Sequence, residues 1–267
     1  MNVAVITGAA SGIGAGLARH AASIGMKLVL ADWDEGSLTD LVDSLPCDAV
    51  AVPTDVRDEI AVQSLAKKAY DRFGQVDLLF NNAGVLSSGL SWEIDAATWQ
   101  RSLDINIVGV LNVIRAFVPR MIAADRPSRI INTSSLGGFL TSPFMAPYSA
   151  TKFAIVAITE AMAGELFALS SKVQVSLLAP GPVKSAIMDA HAPSQTAEFM
   201  DMLRRMNDEN GMTPDEFAPL VFEAVERGEY WIVPQPEMLD TGLRDRTEMI
   251  LARRAPTGFG LVDRNRN

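Results

Sequence analysis

Tyr148-Ser149-Ala150-Thr151-Lys152 sets a phenol and an ammonium four residues apart, one turn along a helix face. An unperturbed tyrosine titrates near ~10 and is no base at neutral pH, whereas a neighbouring cation favours the phenolate. The spacing therefore predicts a tyrosine that can take the proton of an alcohol, with Lys152 holding its proton affinity down. Tyrosine and lysine also meet at this spacing on ordinary solvated helices. The pair gains chemical meaning only from the elements around it.

The first of these lies near the other end of the chain. Asn2-Val3-Ala4-Val5-Ile6-Thr7 is a β-branched apolar run, and Gly8-Ala9-Ala10-Ser11-Gly12-Ile13-Gly14 follows at once, ahead of a helical pattern through Leu17, Ala21 and Ile24. Strand, glycine-rich turn and helix in that order bring free amide groups and a helix N-terminus up to a pyrophosphate. A second apolar run, Lys27-Leu28-Val29-Leu30-Ala31-Asp32, ends in a carboxylate roughly 20 residues beyond the glycines, placed to accept hydrogen bonds from an adenosine ribose. Such a carboxylate repels the extra phosphate of NADP, so Asp32 predicts NAD. The alternative for Asp32 is a turn or capping acid, a role for which Asp34 competes.

These motifs, and others in the same order, resemble the short-chain dehydrogenase/reductase family in its single-domain branch, over roughly residues 2–235. Thr7 to Gly14 has the T-G-x-x-x-G-x-G spacing, Asn81-Asn82-Ala83-Gly84 matches N-N-A-G, and Ser135 precedes Tyr148 by 13 positions, the family's usual offset. Asp55-Val56 follows the third strand, Asn106 lies in Asp104-Ile105-Asn106-Ile107-Val108-Gly109, and Pro180-Gly181-Pro182-Val183-Lys184-Ser185 is similar to P-G-x-V-x-T with Ser in place of Thr. The resemblance implies a Rossmann-like α/β domain and an NAD-dependent oxidoreductase that interconverts an alcohol and a ketone. It implies that Tyr148 is the general acid/base, that Ser135 donates to the substrate oxygen, and that Lys152 lowers the Tyr148 pKa and holds the nicotinamide ribose. Asn106 would hold a water linking Lys152 to solvent. It further implies a dinucleotide site made by Gly8, Ser11, Gly12, Ile13, Gly14, Asp32, Trp33, Asp55, Val56, Asn82, Ala83, Gly84, Tyr148, Lys152, Pro180, Gly181, Val183 and Ser185. A non-catalytic dinucleotide sensor on the same fold is the rival, and the complete set of Asn106, Ser135, Tyr148 and Lys152 argues against it.

Composition narrows the class. At 267 residues, 48% hydrophobic and a net charge of −9, the chain suits one large α/β domain (1–267) and argues against a nucleic-acid surface. The longest apolar stretches read as strands, too short for a bilayer, and the first strand begins at once, so no membrane span or signal peptide is expected and the cytoplasm is the default. Cys47 is expected in a turn near the surface. With His20 and His191 as the other soft ligands, no metal site is expected.

Apolar runs at 3–6, 28–31, 49–52, 76–80, 129–131 and 173–179, with a last one at Tyr230-Trp231-Ile232-Val233, predict about seven buried strands of a doubly wound parallel sheet. Helical patterns near 12–25, 34–45, 58–73, 95–122 and 148–170 cover both faces, and a further helix opens at Thr213. Gly8, Asp32, Asp55, Asn82, Ser135 and Pro180 all fall at carboxyl ends of strands, where such sheets bind ligands. Residues 186–212, rich in methionine, read as a substrate lid or as an amphipathic helix pair that packs the domain. Around the expected pocket Leu86, Leu136, Phe139, Leu140, Phe144, Met145, Ile187 and Met188 carry no clamping Arg or Lys, which favours an apolar secondary alcohol or ketone as substrate. His191 reads as solvated lid, and 237–267 as an Arg-rich C-terminal extension. Family resemblance implies a homo-oligomer, tetramer or dimer, packed through 95–122 and 148–170, where Ala157, Ala161, Ala163 and Gly164 permit close helix approach.

Overall fold

A computed structural model describes residues 3–189 and 193–256. His191, Arg264 and Arg266 lie outside the described residues. Seven parallel strands form one sheet in the order β3-β2-β1-β4-β5-β6-β7. They are β1 (Val3–Thr7), β2 (Lys27–Asp32), β3 (Ala49–Pro53), β4 (Leu78–Asn81), β5 (Ser128–Thr133), β6 (Val173–Leu178) and β7 (Trp231–Ile232). The chain reverses direction across the sheet after β3, so β1 and β4 flank the switch point and the loops that follow them open a crevice.

Strand side chains alternate between two apolar layers, as a period of two demands. Ala4, Ile6, Leu28, Leu30 and Phe80 join α1 (Gly12–Ser23), α2 (Glu35–Ser44) and α8 (Pro214–Glu226) on one face. Val5, Val29, Leu79 and Ile130 meet α3 (Glu59–Phe73), α5 (Val110–Ala123) and α6 (Ala146–Ala168) on the other. Edge strand β3 departs from the expected two-sided burial: only Val52 is buried, because a single neighbour covers it. Helices start where side chains take up their free amide groups: Asp34 accepts from Ser37 N–H, Asp58 from Ile60 and Ala61 N–H, and Thr213 with Glu216 forms a reciprocal capping box. His20 sits on α1 with its ring centroid 4.9 Å from that of Phe222, and burial lowers its pKa. Cys47 lies in the turn between α2 and β3 as expected, partly buried against the first layer.

Three expectations need correction. The single helix read at 95–122 is α4 (Ala96–Leu103) and α5 joined by a π-helical stretch, Asp104–Gly109. Tertiary contacts explain the wider turn: the Asn106 side chain is pulled onto Val85, and a Cβ on Gly109 would stand 2.6 Å from Val56 Cγ2. The same run, Ala96–Ala123, contains an 18-residue window of mean hydropathy 1.5 and is, by length and composition, long enough to cross a bilayer, contrary to the reading of short apolar stretches. Half of that window is buried in the domain, the pattern of a core helix. Finally, the described residues of 186–212 form not a helix pair but two short 3₁₀ turns, Ala186–Asp189 and Ser194–Thr196, followed by one helix, α7 (Ala197–Asn210). The described part of the tail contains α9 (Asp240–Leu251), and a Cβ on Gly242 there would stand 2.8 Å from Leu140.

Candidate active site

The loops at the carboxyl ends of the strands enclose a cavity of about 750 Å³. The glycine-rich turn supplies its floor through close approach: Gly12 has φ 50° and a Cβ there would stand 2.7 Å from Ser185 Cβ, while one on Gly14 would stand 2.0 Å from Gly8 O. Ser11 occupies the N-cap of α1 without a side-chain capping bond, so the first amide groups of the helix stay available to an anion. Gly8, Ser11, Gly12 and Ile13 all line the cavity.

Asp32 also lines it, 8% exposed. Its Oδ2 accepts from Ala10 N–H at 2.9 Å and its Oδ1 from Asp34 N–H at 3.1 Å, so the carboxylate is aimed by the glycine loop. The capping role belongs to Asp34. Trp33 stands beside it, 81% exposed at the rim. Asp55 and Val56 line the same end, and the Arg57 guanidinium, hydrogen-bonded to Asp55 with Nη2 to Oδ2 at 2.6 Å, holds the Asp55 carboxyl below its ordinary pKa.

The N-N-A-G turn is tied to the glycine turn by a residue to which the sequence reading gave no role. Thr7 Oγ1 is buried, donates to Phe80 O at 3.4 Å, and accepts from Asn82 N–H at 3.0 Å and Ala83 N–H at 3.2 Å. Asn82 returns the contact, its Nδ2 donating to Thr7 O at 3.1 Å. Gly84 lies between Asn106 Oδ1 and Lys152 Nζ, 3.3 and 3.4 Å from where its Cβ would be. Pro180, Gly181, Val183 and Ser185 close the side opposite Asp32.

Tyr148 and Lys152 lie on the first turns of α6 and face the cavity with Ser135, which stands two residues past β5. The Ser135 and Tyr148 side chains are neighbours across Gly137, whose Cβ would stand 3.6 Å from Ser135 Oγ and 3.2 Å from Tyr148 Cε1, and Ser135 Oγ accepts from Gly137 N–H at 3.1 Å. Lys152 Nζ stands 5.6 Å from the Tyr148 ring centroid and donates to Thr133 O at 3.0 Å. The electrostatics differ from the sequence expectation. Burial pushes the Tyr148 phenol up, offset in part by the Ser135 hydroxyl, and burial also lowers the Lys152 ammonium to about 8. Desolvation disfavours both charged forms and is the leading influence on each.

Asn106 is buried and committed at both ends of its amide. Its Oδ1 accepts from Val85 N–H at 2.8 Å, while Nδ2 donates to Val85 O at 2.9 Å and to Thr151 Oγ1 at 3.0 Å. The side chain thus locks the turn after β4 onto α6. Arg101 on α4 also lines the cavity, a cation that the sequence reading did not place there. Its signal in the sequence is the i, i+4 relation to Ile105, another lining residue.

A profile of the family described as short chain dehydrogenase matches residues 2–196. The chain belongs to the short-chain dehydrogenase/reductase family. Among curated relatives, a CLA biosynthesis dehydrogenase/reductase of Lactiplantibacillus plantarum is 31% identical over 95% of this chain and 94% of its own length. A 1-deoxy-11-beta-hydroxypentalenate dehydrogenase of Streptomyces avermitilis is 36% identical over 68% of each chain. Among solved structures, a short-chain dehydrogenase/reductase from Burkholderia phymatum in complex with NAD superposes with a TM-score of 0.92 at 38% identity, covering 96% of both chains. The protein is therefore an oxidoreductase of this family, and its seven-stranded Rossmann-like sheet is the fold the family shares.

Proposed function

We propose that the enzyme interconverts an apolar secondary alcohol and its ketone with NAD(H), and that Tyr148 carries the proton. The observation that carries this reading is the neighbouring Ser135 and Tyr148 side chains, with Lys152 one turn along, facing the same cavity as the glycine-rich turn. Bound NAD supplies the hydride acceptor of oxidation. Ser135 Oγ donates to the substrate oxygen and steadies the charge that develops there, while Tyr148 Oη takes the hydroxyl proton. The Lys152 ammonium holds the nicotinamide ribose and stabilises the phenolate. Asn106, by locking Val85 to Thr151, fixes the wall past which Lys152 reaches solvent.

The cavity fits the dinucleotide: Gly12 and Gly14 let the turn fold tightly against Ser185 and Gly8, the start of α1 is uncapped, and Asp32 is oriented at the adenosine end. The similar Burkholderia enzyme, whose structure is a complex with NAD, lends support. The substrate end favours apolar groups. Leu86, Met145, Ile187, Met188, Leu203 and Met206 line it, and thioether side chains adapt to varied shapes. Helix α7 covers this end, with Met200 fully buried and the Phe199 ring 5.2 Å from that of Phe144. We assign 186–212 as a lid that tightens over substrate after the dinucleotide has bound.

Replacing Tyr148 with Phe removes only the ionisable oxygen, so turnover should fall by roughly 10²-fold or more while NADH binding is largely kept. Retained turnover sinks the mechanism. Lys152 binds ribose hydroxyls best as the ammonium, and its pKa of about 8 gives the sign: NADH affinity should be highest below that pH and weaken as pH rises through it. Fluorescence titration with Lys152→Met should give weaker, pH-independent binding; an unchanged slope in the variant assigns the titration elsewhere. Asp32→Ala should weaken NAD and relatively improve NADP, and a wild-type enzyme that uses NADP as efficiently as NAD refutes the role given to this carboxylate. For the lid, amide exchange over 197–210 should slow in a ternary complex while β5 stays slow throughout. Equal protection with and without ligands makes the segment plain packing.

A further inference from the structure

Pro180-Gly181-Pro182 leaves β6 and carries Val183 and Ser185 to the cavity. Proline has no N–H, so this tripeptide owns one backbone donor, the amide of Gly181. Its neighbour in the sheet cannot receive that donor. The pairing of β6 with β7 ends at Leu178 with Ile232, and the last rung beyond it is Ala179 N–H to Ile232 O at 2.9 Å.

The side chain of Gln235 completes the ladder. It lies three residues past β7, 5% exposed, and its Oε1 accepts from Gly181 N–H at 2.9 Å while its Nε2 donates to Pro182 O at 3.0 Å. A Cβ on Gly181 would stand 2.7 Å from that Oε1, so the approach needs glycine. A primary carboxamide presents an acceptor and a donor side by side, as a peptide group does. Gln235 thus replaces one peptide unit of a strand that has already ended. The loop is held at two other points: Pro180 O accepts from Leu136 N–H at 3.0 Å, next to Ser135, and Pro182 O accepts from Met212 N–H at 3.1 Å, just past α7.

We propose that Gln235 is a positioning residue for the nicotinamide half of the dinucleotide site. Acting from behind the loop, it sets the height at which Val183 and Ser185 meet the nicotinamide carboxamide, and so the face of the ring presented to substrate. The proposal rests on the reading of the cavity as an NAD(H) site. Its consequence is selective, because the adenosine half is held by Asp32, Asp55 and Val56 at the far side of the sheet.

Gln235→Leu removes both hydrogen bonds, and Gln235→Glu keeps an acceptor for Gly181 while losing the donor to Pro182. Two hydrogen bonds at about 1 kcal/mol each imply NADH binding weakened by about tenfold or more in Gln235→Leu, with a smaller change of the same sign in Gln235→Glu. AMP, which fills only the adenosine half, should bind within about twofold of wild type in both. With a ketone that the wild type reduces, deuterium from one face of 4-labelled NADH should transfer with loss of stereochemical purity. Equal weakening of AMP and NADH, or unchanged NADH affinity with only a lower melting temperature, overturns the proposal. Should Gln235→Leu not fold, Gln235→Glu carries the same test. A wild type that binds no NADH refutes the underlying reading, whereas a wild type and variants that bind it equally refute the role of Gln235 alone.

Discussion

The buried hydroxyl of Thr7 is the constraint on which the site depends. A parallel sheet ends in loops, and loops need partners to hold one shape. Thr7 accepts two amide hydrogens from the turn after β4 and so joins the two turns that flank the switch point. Asn106 then ties that turn to α6 through Val85 and Thr151, and Lys152 ties α6 back to the end of β5 through Thr133 O. Each link is a buried polar group satisfied by a neighbouring loop, the arrangement in which hydrogen bonds specify geometry most strongly. The catalytic group is positioned by this chain of contacts rather than by α6 alone.

The same burial sets the electrostatics. Tyr148 and Lys152 sit where water is scarce, so both charged forms are disfavoured, and a cation near the phenol does not by itself make a phenolate. Spacing along a helix reports which groups are neighbours. Their proton affinities follow from how deeply the neighbours are buried, a quantity that depends on Leu86, Met145 and α7 folding over them.

Much of the fold could be read from the chain because the signals were redundant: apolar runs in β1, β2 and β5 are bounded by turn residues, and the motif residues fall at strand ends. The site residues that line the cavity were readable for the same reason. What escaped the sequence were features decided by contacts distant along the chain. A six-residue π-helical stretch has no distinctive periodicity, and Asp104–Gly109 widens where Asn106 reaches Val85 and Gly109 packs on Val56. Thr7 carried a motif position without a visible task until Asn82 was beside it, and Gln235 belonged to no motif at all. Residues 186–212 kept the amphipathic pattern of helices, yet the part preceding α7 forms only short turns.

The π-helical stretch has an evolutionary consequence. Relative to an α-helix it holds one surplus residue, absorbed locally so that Val113 and Phe117 stay against the sheet. Deleting one residue of the stretch would leave a regular helix with that downstream face kept, while the widened turn that brings Asn106 onto Val85 would be lost. The register of the hydrophobic layer and the placement of Asn106 are therefore separable, and a single-residue step can alter the second without disturbing the first.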